Sequence, residues 1–379
     1  MTTKGSRKNI VFLTGTRADF GKLKTLISNL YMENELFNIH IFVTGMHMLK
    51  EYGSTWEEVR EFGIGKLYYF INQNRSDSMD AIIGKTITGL SDYIKEIDPD
   101  LILVHGDRIE SLAGAIVGCL NNTLVAHVEG GEISGTVDDL IRHSITKLAH
   151  IHFVSNMDSK NRLLQLGEQP KSIFIIGSPE IDILNSPDLP NLNEVLTKYE
   201  ITFNDYILFI LHPVTTEVHN LDQHLLSIKR LLTDPAHNFL VIQSNNDFGS
   251  EKIKELYKGL KNNKNIRILP SMRFEYYLTA LKNAKMIIGN SSSGVRESSY
   301  FGVPAINLGT RQKGRSESKN IINCDYDFIQ INDIVDKNYG KRFESTDEFG
   351  EGESGSKFKK VLSDPHFWQT AIQKTFKDI

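Results

Sequence analysis

The stretch LILVHGDRIESLAGAIVGCLNNTLVAH, residues 101–127, decides the class of fold. It opens with the apolar run of residues 101–104, continues through an alanine- and glycine-rich segment at residues 111–120, and closes with a second apolar run at residues 123–127. Short apolar runs separated by helical segments predict βαβ units, whose parallel strands are buried on both faces of the sheet. The sequence therefore predicts an α/β protein.

The same alternation extends in both directions from this stretch. Residues 10–13 and 40–43 are further strand candidates, and the amphipathic residues 23–30 lie between them. The pattern restarts after residues 173–176 and a polar stretch near residues 185–195, which is the expected hinge. Two successive doubly wound halves are the simplest account. The strand candidates of the second half are residues 207–211, 239–243, 266–269, 286–288 and 305–307, and residues 343–356 are expected to form a loop.

Bulk properties limit the possible partners. The chain of 379 residues has 43 lysines and arginines against 47 acids, a net charge of −4, so no basic field favours nucleic acid or an anionic membrane. Cys119 and Cys324 form no disulfide framework, which fits a reducing compartment. No run reaches the ~20 apolar residues of a membrane span, and residues 10–13 are too short for a signal peptide core. A cytoplasmic location is expected.

Polar residues follow the strands of the first half, where ligands bind parallel sheets. Asp107 and Arg108 come directly after the strand of residues 101–104, although Asp107 could instead cap the following helix. Residues 15–19, GTRAD, open a helix whose free amides suit phosphate, and Arg17 would add a bidentate donor. The alternative is a plain turn with a surface arginine. The turn lacks the GK[ST] ending of a Walker A loop and is not a GxGxxG fingerprint.

The stretch EGGEISGTVDDLIRH, residues 129–143, gathers ionisable groups around a glycine-rich turn. Glu129 follows a buried strand, where an acid needs a partner or a function. Asp138 starts the next helix and shares a face with Arg142, and this pair could be a simple helix salt bridge. Three carboxylates near one sheet edge would repel one another, which raises at least one pKa and supplies an acid and a base.

The second half offers residues for a phosphate group. His212 ends a strand at Pro213 and should face the ligand, unless it is a structural histidine. The sequence GNSSSGVRE, residues 289–297, has small hydroxyl residues between glycines, which indicates a phosphate cradle or an ordinary serine-rich cap. Glu297 could hold ribose hydroxyls. The histidines are scattered, so neither a metal nor a cofactor is expected. The remaining candidates in these loops are Ser291, Ser292, Gly294 and Arg311.

Taken together, GTRADFGKL, HGDR, HVEGGEISGTVDDLIRHSITKLAH, HPVTTE, IGNSSSGVRE and INLGTRQ resemble the UDP-N-acetylglucosamine 2-epimerases over residues 8–330. The motifs are most similar to those of the hydrolysing branch, which makes N-acetylmannosamine for sialic acid and capsule polysaccharide biosynthesis. The resemblance implies a GT-B-like fold of two Rossmann-like domains with a UDP-sugar in the cleft, and a homodimer or homotetramer. The expected domains are residues 1–185 with the catalytic carboxylates, 195–360 for the nucleotide, and a C-terminal helix, 361–379, that packs back on the first.

Carried over residue by residue, Asp107, Glu129 and Asp138 match the family's catalytic carboxylates, and His212 is placed with them. The resemblance implies elimination of UDP to give 2-acetamidoglucal, followed by hydration. Which carboxylate is the base stays open. The binding positions that it implies for the nucleotide and the sugar are Arg17, His212, Asn245, Ser291, Ser292, Glu297 and Arg311, and Arg108, Arg142 and Gly294 are further substrate-binding candidates.

Four alternatives stay open beside this function. The same chemistry could act on a UDP- or GDP-linked 2,4-diacetamido-trideoxyhexose for legionaminic acid. A non-hydrolysing epimerase would release UDP-N-acetylmannosamine, although the sequence GEISGTVDDLIRH favours the hydrolysing branch. A GT-B glycosyltransferase would share the fold and need an acceptor. A non-catalytic sensor of nucleotide sugars would have little use for three carboxylates with shifted pKa values.

Overall fold

The structure is a computed structural model that describes residues 7–33, 35–74, 77–375 and 377. It divides into two compact units, each built on one parallel sheet with helices. The first unit comprises Met1–Glu132, Asp138–Asn185 and Phe349–Ile379, and the second comprises Ile133–Val137 and Ser186–Glu348. No helix in the described ranges combines the length and the apolar character that crossing a bilayer requires.

The first unit contains a seven-stranded sheet in the order β3-β2-β1-β4-β5-β6-β7, with every neighbouring pair parallel. Its strands are β1 (Lys8–Thr14), β2 (Phe37–Val43), β3 (Lys66–Tyr69), β4 (Leu101–His105), β5 (Leu124–Val128), β6 (Ile151–Val154) and β7 (Ile173–Ile175). Its helices are α1 (Arg17–Tyr31), α2 (Trp56–Phe62), α3 (Met79–Ile97), α4 (Ile109–Leu120), α5 (Val137–Leu148), α6 (Met157–Gln165), α7 (Pro179–Leu184) and α14 (Ser354–Leu362). Strands β4 and β5 are buried along their whole length, as continuous apolar runs require.

The second unit contains a six-stranded parallel sheet in the order β10-β9-β8-β11-β12-β13. Its strands are β8 (Ile207–Ile210), β9 (Phe239–Ile242), β10 (Ile266–Leu269), β11 (Met286–Gly289), β12 (Ala305–Leu308) and β13 (Ile321–Cys324). Its helices are α8 (Leu192–Lys198), α9 (Leu221–Leu232), α10 (Ser250–Leu260), α11 (Phe274–Asn283), α12 (Glu297–Phe301) and α13 (Phe328–Asn338). Each unit has its own apolar core of strand and helix side chains.

The structure confirms the predicted α/β class and adds three strands that the sequence analysis missed. Strand β3 lies at the edge of its sheet with mostly exposed side chains, so it lacks an apolar run. Strand β6 carries the fully buried His152, which interrupts its apolar pattern. In β13, Asn323 accepts a hydrogen bond of 2.7 Å from Asn307 of β12, a polar pair that reads as loop in the sequence. A buried histidine thus hid β6, a polar asparagine hid β13, and exposure hid β3.

The C-terminal part of the chain returns to the first unit earlier than expected. The loop predicted at residues 343–356 ends where α14 begins, at Ser354, and the residues described after the end of α14 contain a 3₁₀ turn, Phe367–Gln369, in place of the expected helix. The amides of Ser354 and Gly355 donate to the carboxylate of Asp182 at 2.9 and 2.8 Å. Phe358 then packs into the core of the first unit. The cap of α14 comes from a distant helix, which no local pattern reveals.

Two glycine substitutions test the packing of the second sheet. Gly289 has φ of 142°, and a Cβ there would lie 1.8 Å from the carbonyl oxygen of Ile210 on β8. Gly289→Ala should therefore lower the free energy of unfolding of this unit by about 2–3 kcal/mol. Gly259, in helix α10, has nothing within 4 Å of its Cβ position. Gly259→Ala is the matched control and should raise stability by roughly 0.5–1 kcal/mol, as measured by urea unfolding.

Equal stability of the two variants would contradict the close approach of β11 and β8.

Candidate active site

Strands β4 and β5 bring two candidate carboxylates to one edge of the first sheet. His105 lies opposite Val128 in register, so the chain leaves both strands at the same level, toward Asp107 and Glu129. The amide of Gly106 donates to the carbonyl of Val128 at 2.9 Å, which fixes the turn after β4. Glu129 has a backbone φ of 63°, a conformation that residues other than glycine rarely adopt. Such strain is common at functional sites and aims this side chain.

Glu129 is a buried carboxylate with a lysine and a histidine beside it. Its side chain is 6% exposed, and its Oε2 lies 3.2 Å from Nζ of Lys22 and 3.1 Å from Nε2 of His105. Lys22 also lies 3.4 Å from the carboxylate of Glu180, whose side chain is fully buried. A buried carboxylate needs such compensation to stay charged. The contacts hold Glu129 in one orientation at the strand end.

Arg142 joins helix α5 to the turn after β4. Its side chain is 2% exposed, and its guanidinium forms an ion pair with the carboxylate of Asp107. It also donates to Asp139 at 3.2 Å and to the carbonyl of Glu132 at 3.1 Å. Burial lowers the pKa of Arg142, but the carboxylates around it, led by Asp107, raise the pKa by more than burial lowers it. The guanidinium therefore stays charged.

Arg142, which was expected to bind substrate, has a guanidinium that is 2% exposed and surrounded by protein groups, among them the carboxylate of Asp107. Within the helix it also pairs with Asp139, three residues earlier. Asp139 also lies 3.3 Å from His143. Asp138 occupies the first turn of α5, where its charge still contributes to raising the pKa of Arg142.

Arg17 and Arg108 each face a buried carboxylate. Nε of Arg17, the first residue of α1, lies 2.9 Å from Oε2 of Glu58. Nε of Arg108 lies 3.6 Å from Oε2 of Glu110. The carboxyl group of Glu110 lies close under the turn at Gly15, where a Cβ would be 3.0 Å from it. Both arginines are thus oriented by protein carboxylates at the sheet edge.

The turn at residues 15–19 is built around its own carboxylate. The amides of Gly15 and Thr16 donate to Oδ2 of Asp19 at 3.0 and 3.2 Å, and Thr16 and Asp19 form a capping box. The amides expected to receive a phosphate at these two positions are therefore occupied. The hydroxyl of Thr14 donates to Asp19 and lies 3.0 Å from Nε2 of His47. Burial lowers the pKa of His47 to about 4, so this network contains a neutral imidazole.

His212 follows β8 in the second unit and has a defined tautomer. Its amide donates to the side chain of Asn290 at 2.7 Å, and Asn290 donates back to its carbonyl at 2.8 Å. The amide of Asn245 donates to Nδ1 of His212 at 3.1 Å. Because Nδ1 accepts this bond, the ring proton is on Nε2. His212 is thus presented as a hydrogen-bond donor, and Asn245 acts on it through the backbone.

A buried tyrosine forms a hydrogen bond with the serine-rich turn after β11. Residues 292–294 form a 3₁₀ turn, in which Ser293 shares a hydrogen bond with the hydroxyl of Tyr277. Burial raises the pKa of Tyr277, so the phenol stays protonated. Ser291 caps the turn by accepting from the amide of Ser293 at 3.4 Å, and a Cβ at Gly294 would meet nothing within 4 Å. Of the three serines, Ser293 is the structural one.

Glu297 begins helix α12 and is 4% exposed. Among the residues that the structure describes, its Oε2 is a buried oxygen without a hydrogen-bond partner. An acceptor of this kind is costly to bury unless a donor is supplied from elsewhere. The position is therefore suited to a ligand hydroxyl.

Asn290 also connects the turn that carries Arg311. The guanidinium of Arg311 and the side-chain amide of Gln312 both donate to the carbonyl of Asn290, each at 3.2 Å. The amide of Gly135 donates to the carbonyl of Arg311 at 2.9 Å. Residue 135 lies in Ile133–Val137, the part of the EGGEISGTVDD stretch that is assigned to the second unit. Arg311 is therefore held at both its side chain and its backbone.

The sequence analysis missed residues that act as partners of the candidates. Lys22 lies inside an amphipathic helix and reaches Glu129 across 107 positions of sequence, so its pattern is that of a surface lysine. Glu180 and Tyr277 were missed for the same reason. Glu180 contacts Lys22, and Tyr277 contacts Ser293 of the serine-rich turn, and no local sequence pattern indicates either contact. Asn290 stood within a quoted motif, and its place beside Gly289 at a strand end was a usable signal.

Comparisons with known proteins identify relatives of this chain. Residues 31–363 match the family described as UDP-N-acetylglucosamine 2-epimerase. A UDP-N-acetylglucosamine 2-epimerase of Neisseria meningitidis serogroup B is 46% identical over 98% of this chain and 99% of its own. A hydrolysing UDP-N,N'-diacetylbacillosamine 2-epimerase of Legionella pneumophila is 32% identical over 86% of this chain and 87% of its own.

Among solved structures, UDP-GlcNAc 2-epimerase of Methanocaldococcus jannaschii, crystallised with UDP-GlcNAc and UDP, has a TM-score of 0.80 at 24% identity. That comparison covers 94% of this chain and 99% of the archaeal one, and it supports the GT-B-like, two-unit α/β fold. The family match, the identity to the Neisseria relative and the two parallel sheets lead to one assignment. The chain belongs to the UDP-N-acetylglucosamine 2-epimerase family.

Proposed function

We propose that this protein is a hydrolysing UDP-N-acetylglucosamine 2-epimerase, which converts UDP-N-acetylglucosamine and water into N-acetylmannosamine and UDP for sialic acid biosynthesis. The observation that carries the proposal is the pair of carboxylates, Glu129 and Asp107, that adjacent strand ends present next to buried cations. Removal of a carbon-bound proton needs a charged, oriented base, and such an arrangement supplies one. The 46% identity to the Neisseria relative supports the choice of substrate.

The first step that we propose is an elimination. A carboxylate takes the proton from carbon-2 of the sugar, the carbon-1 to oxygen bond breaks, and the bonding electrons leave with UDP. The product is 2-acetamidoglucal, with a double bond between carbons 1 and 2. Glu129 suits the base because Lys22 and His105 compensate its charge and fix its direction. Asp107 and Asp138 complete the set of carboxylates.

The second step is a hydration. Water adds its hydroxyl group at carbon-1, and an acid returns a proton to carbon-2 from the opposite face, which inverts that centre and releases N-acetylmannosamine. The step needs a protonated carboxyl on the other side of the sugar ring from the base. Asp138 suits this role because it lies on α5, a different element from Glu129. Two carboxylates in opposite protonation states account for both steps.

Residues of the second unit are proposed to bind the nucleotide part of the same substrate. His212 offers Nε2–H to a phosphate oxygen, since its Nδ1 is occupied by the amide of Asn245. Arg311 adds a positive charge, and Ser291 and Ser292 add hydroxyl groups. Donors placed where charge develops on the departing diphosphate lower the barrier to elimination. His212 thus acts by donating a hydrogen bond rather than by accepting a proton.

Glu297 is proposed to bind the ribose hydroxyls through its buried, unpartnered oxygen. Arg17 and Arg108 are proposed to reach the substrate from the orientations that Glu58 and Glu110 give them. Gly294 leaves open space beside the serine-rich turn for a phosphate oxygen. We further propose that the enzyme acts in the cytoplasm as a homodimer or homotetramer, as the family resemblance implies.

A panel of donors tests the substrate. Purified protein is incubated separately with UDP-N-acetylglucosamine and with the UDP- and GDP-linked 2,4-diacetamido-trideoxyhexoses, and products are identified by chromatography and mass spectrometry. We expect UDP and free N-acetylmannosamine from the first donor without any acceptor, and slower turnover of the others. Accumulation of UDP-N-acetylmannosamine would assign the non-hydrolysing reaction instead. Turnover of only a diacetamido donor would assign the function of the Legionella relative.

Amide substitutions test the carboxylates. Asp107→Asn, Glu129→Gln and Asp138→Asn keep the size of each side chain and remove its ability to exchange a proton, so each should lower kcat by roughly a hundred-fold or more. Asp333→Asn is the matched control, because Asp333 pairs only with Lys337 on the exposed face of helix α13 among the described contacts. It should keep wild-type kcat in a UDP-release assay. Normal turnover in all three amide variants would refute the assignment.

A further inference from the structure

The last turn of helix α5 meets a lysine from the C-terminal segment. Nζ of Lys374 donates to the carbonyl oxygens of Thr146, Lys147 and Ala149 at 2.9, 3.1 and 2.7 Å. These carbonyls lie at the C-terminal end of α5, where a helix has unsatisfied acceptors and a partial negative charge. One ammonium group therefore satisfies three backbone acceptors and complements the helix dipole.

The same ammonium group is anchored by a buried carboxylate. Nζ of Lys374 lies 2.6 Å from Oε2 of Glu168, whose side chain is 1% exposed. Glu168 also contacts Lys147 of α5 at 2.8 Å and Nε2 of the buried His152 at 3.1 Å. Burial opposes the charge of Glu168, but these partners together lower its pKa to about 2. Glu168 thus stays charged and fixes Lys374 against the helix end.

A second bond holds the C-terminal segment in place. Nδ1 of His150 accepts a hydrogen bond of 3.0 Å from the amide of Val125 on β5, so its ring proton is on Nε2. Nε2 then donates to the carbonyl of Ile372 at 2.9 Å. The segment is therefore attached at residues 372 and 374, although the residues described there, 370–375, form no helix or strand. The attachment is specific for the end of α5 and the strand beside it.

We propose that Lys374 is a positioning residue for the reaction: by capping α5 it holds the carboxylates of that helix in their catalytic register. The other end of α5 carries Asp138, and its middle carries Arg142, which holds Asp107. A shift or fraying of the helix would move both carboxylates relative to Glu129. Small displacements of catalytic groups cost much more in rate than in binding. The proposal rests on the proposed function for its kinetic consequence, but not for its structural one.

The test compares three variants of the full chain. Lys374→Met removes the charge and keeps most of the length, and it should lower kcat by roughly ten- to a hundred-fold with little change in KM. Lys374→Arg keeps a cationic donor and should recover most of that loss. Lys377→Met is the matched control, because no ion pair or side-chain hydrogen bond is found for Lys377 in the described part of the chain. It should behave as wild type.

Hydrogen–deuterium exchange separates this inference from the proposed function. Lys374→Met should speed exchange of the amides in the last two turns of α5, with Lys374→Arg and Lys377→Met close to wild type, whatever the substrate is. If Lys374→Met does not fold, Lys374→Gln, which removes the charge and keeps a neutral donor, is measured with the same expectations. Wild-type exchange in α5, or wild-type kcat, in a folded variant without the charge would overturn the proposal. An inactive wild type would instead contradict the proposed function.

Discussion

The ion pair between the buried guanidinium of Arg142 and the partly exposed carboxylate of Asp107 is the interaction on which this part of the candidate site depends. A guanidinium with 2% exposure is costly to desolvate, and it is tolerated here because carboxylates and the carbonyl of Glu132 surround it. The pair links the turn after β4 to helix α5, which also carries Asp138.

A second feature of the site follows the same logic. Glu129 lies at the next strand end, and Lys22 and His105 compensate it as Arg142 compensates Asp107. Two reactive carboxylates can be packed near one sheet edge only if each brings its own cation. The positive φ of Glu129 shows that the backbone is constrained to point this side chain. The side chain of Glu129 is therefore oriented both by its backbone and by its partners.

The sequence predicted which polar residues follow the strand ends but not which side chains hold them. Apolar runs located Asp107, Glu129 and His212, because a parallel strand must end at the same edge as its neighbours. The partners could not be found in this way, since Lys22 contacts Glu129 across 107 positions and nothing in its helix marks it. For the same reason the ion pair of Arg142 with Asp107 was not predicted. Local patterns give strand ends, and only the packed structure gives pairings.

We propose that a carboxylate at the edge of the first sheet removes the proton from carbon-2 of the sugar. Proton NMR of the wild-type reaction with UDP-N-acetylglucosamine in heavy water tests it most directly. We predict that the released N-acetylmannosamine carries deuterium at carbon-2 from the first turnover, because the proton is lost to a base and a solvent deuteron replaces it. A product that keeps its original proton at carbon-2 would contradict the elimination and the role given to the carboxylates.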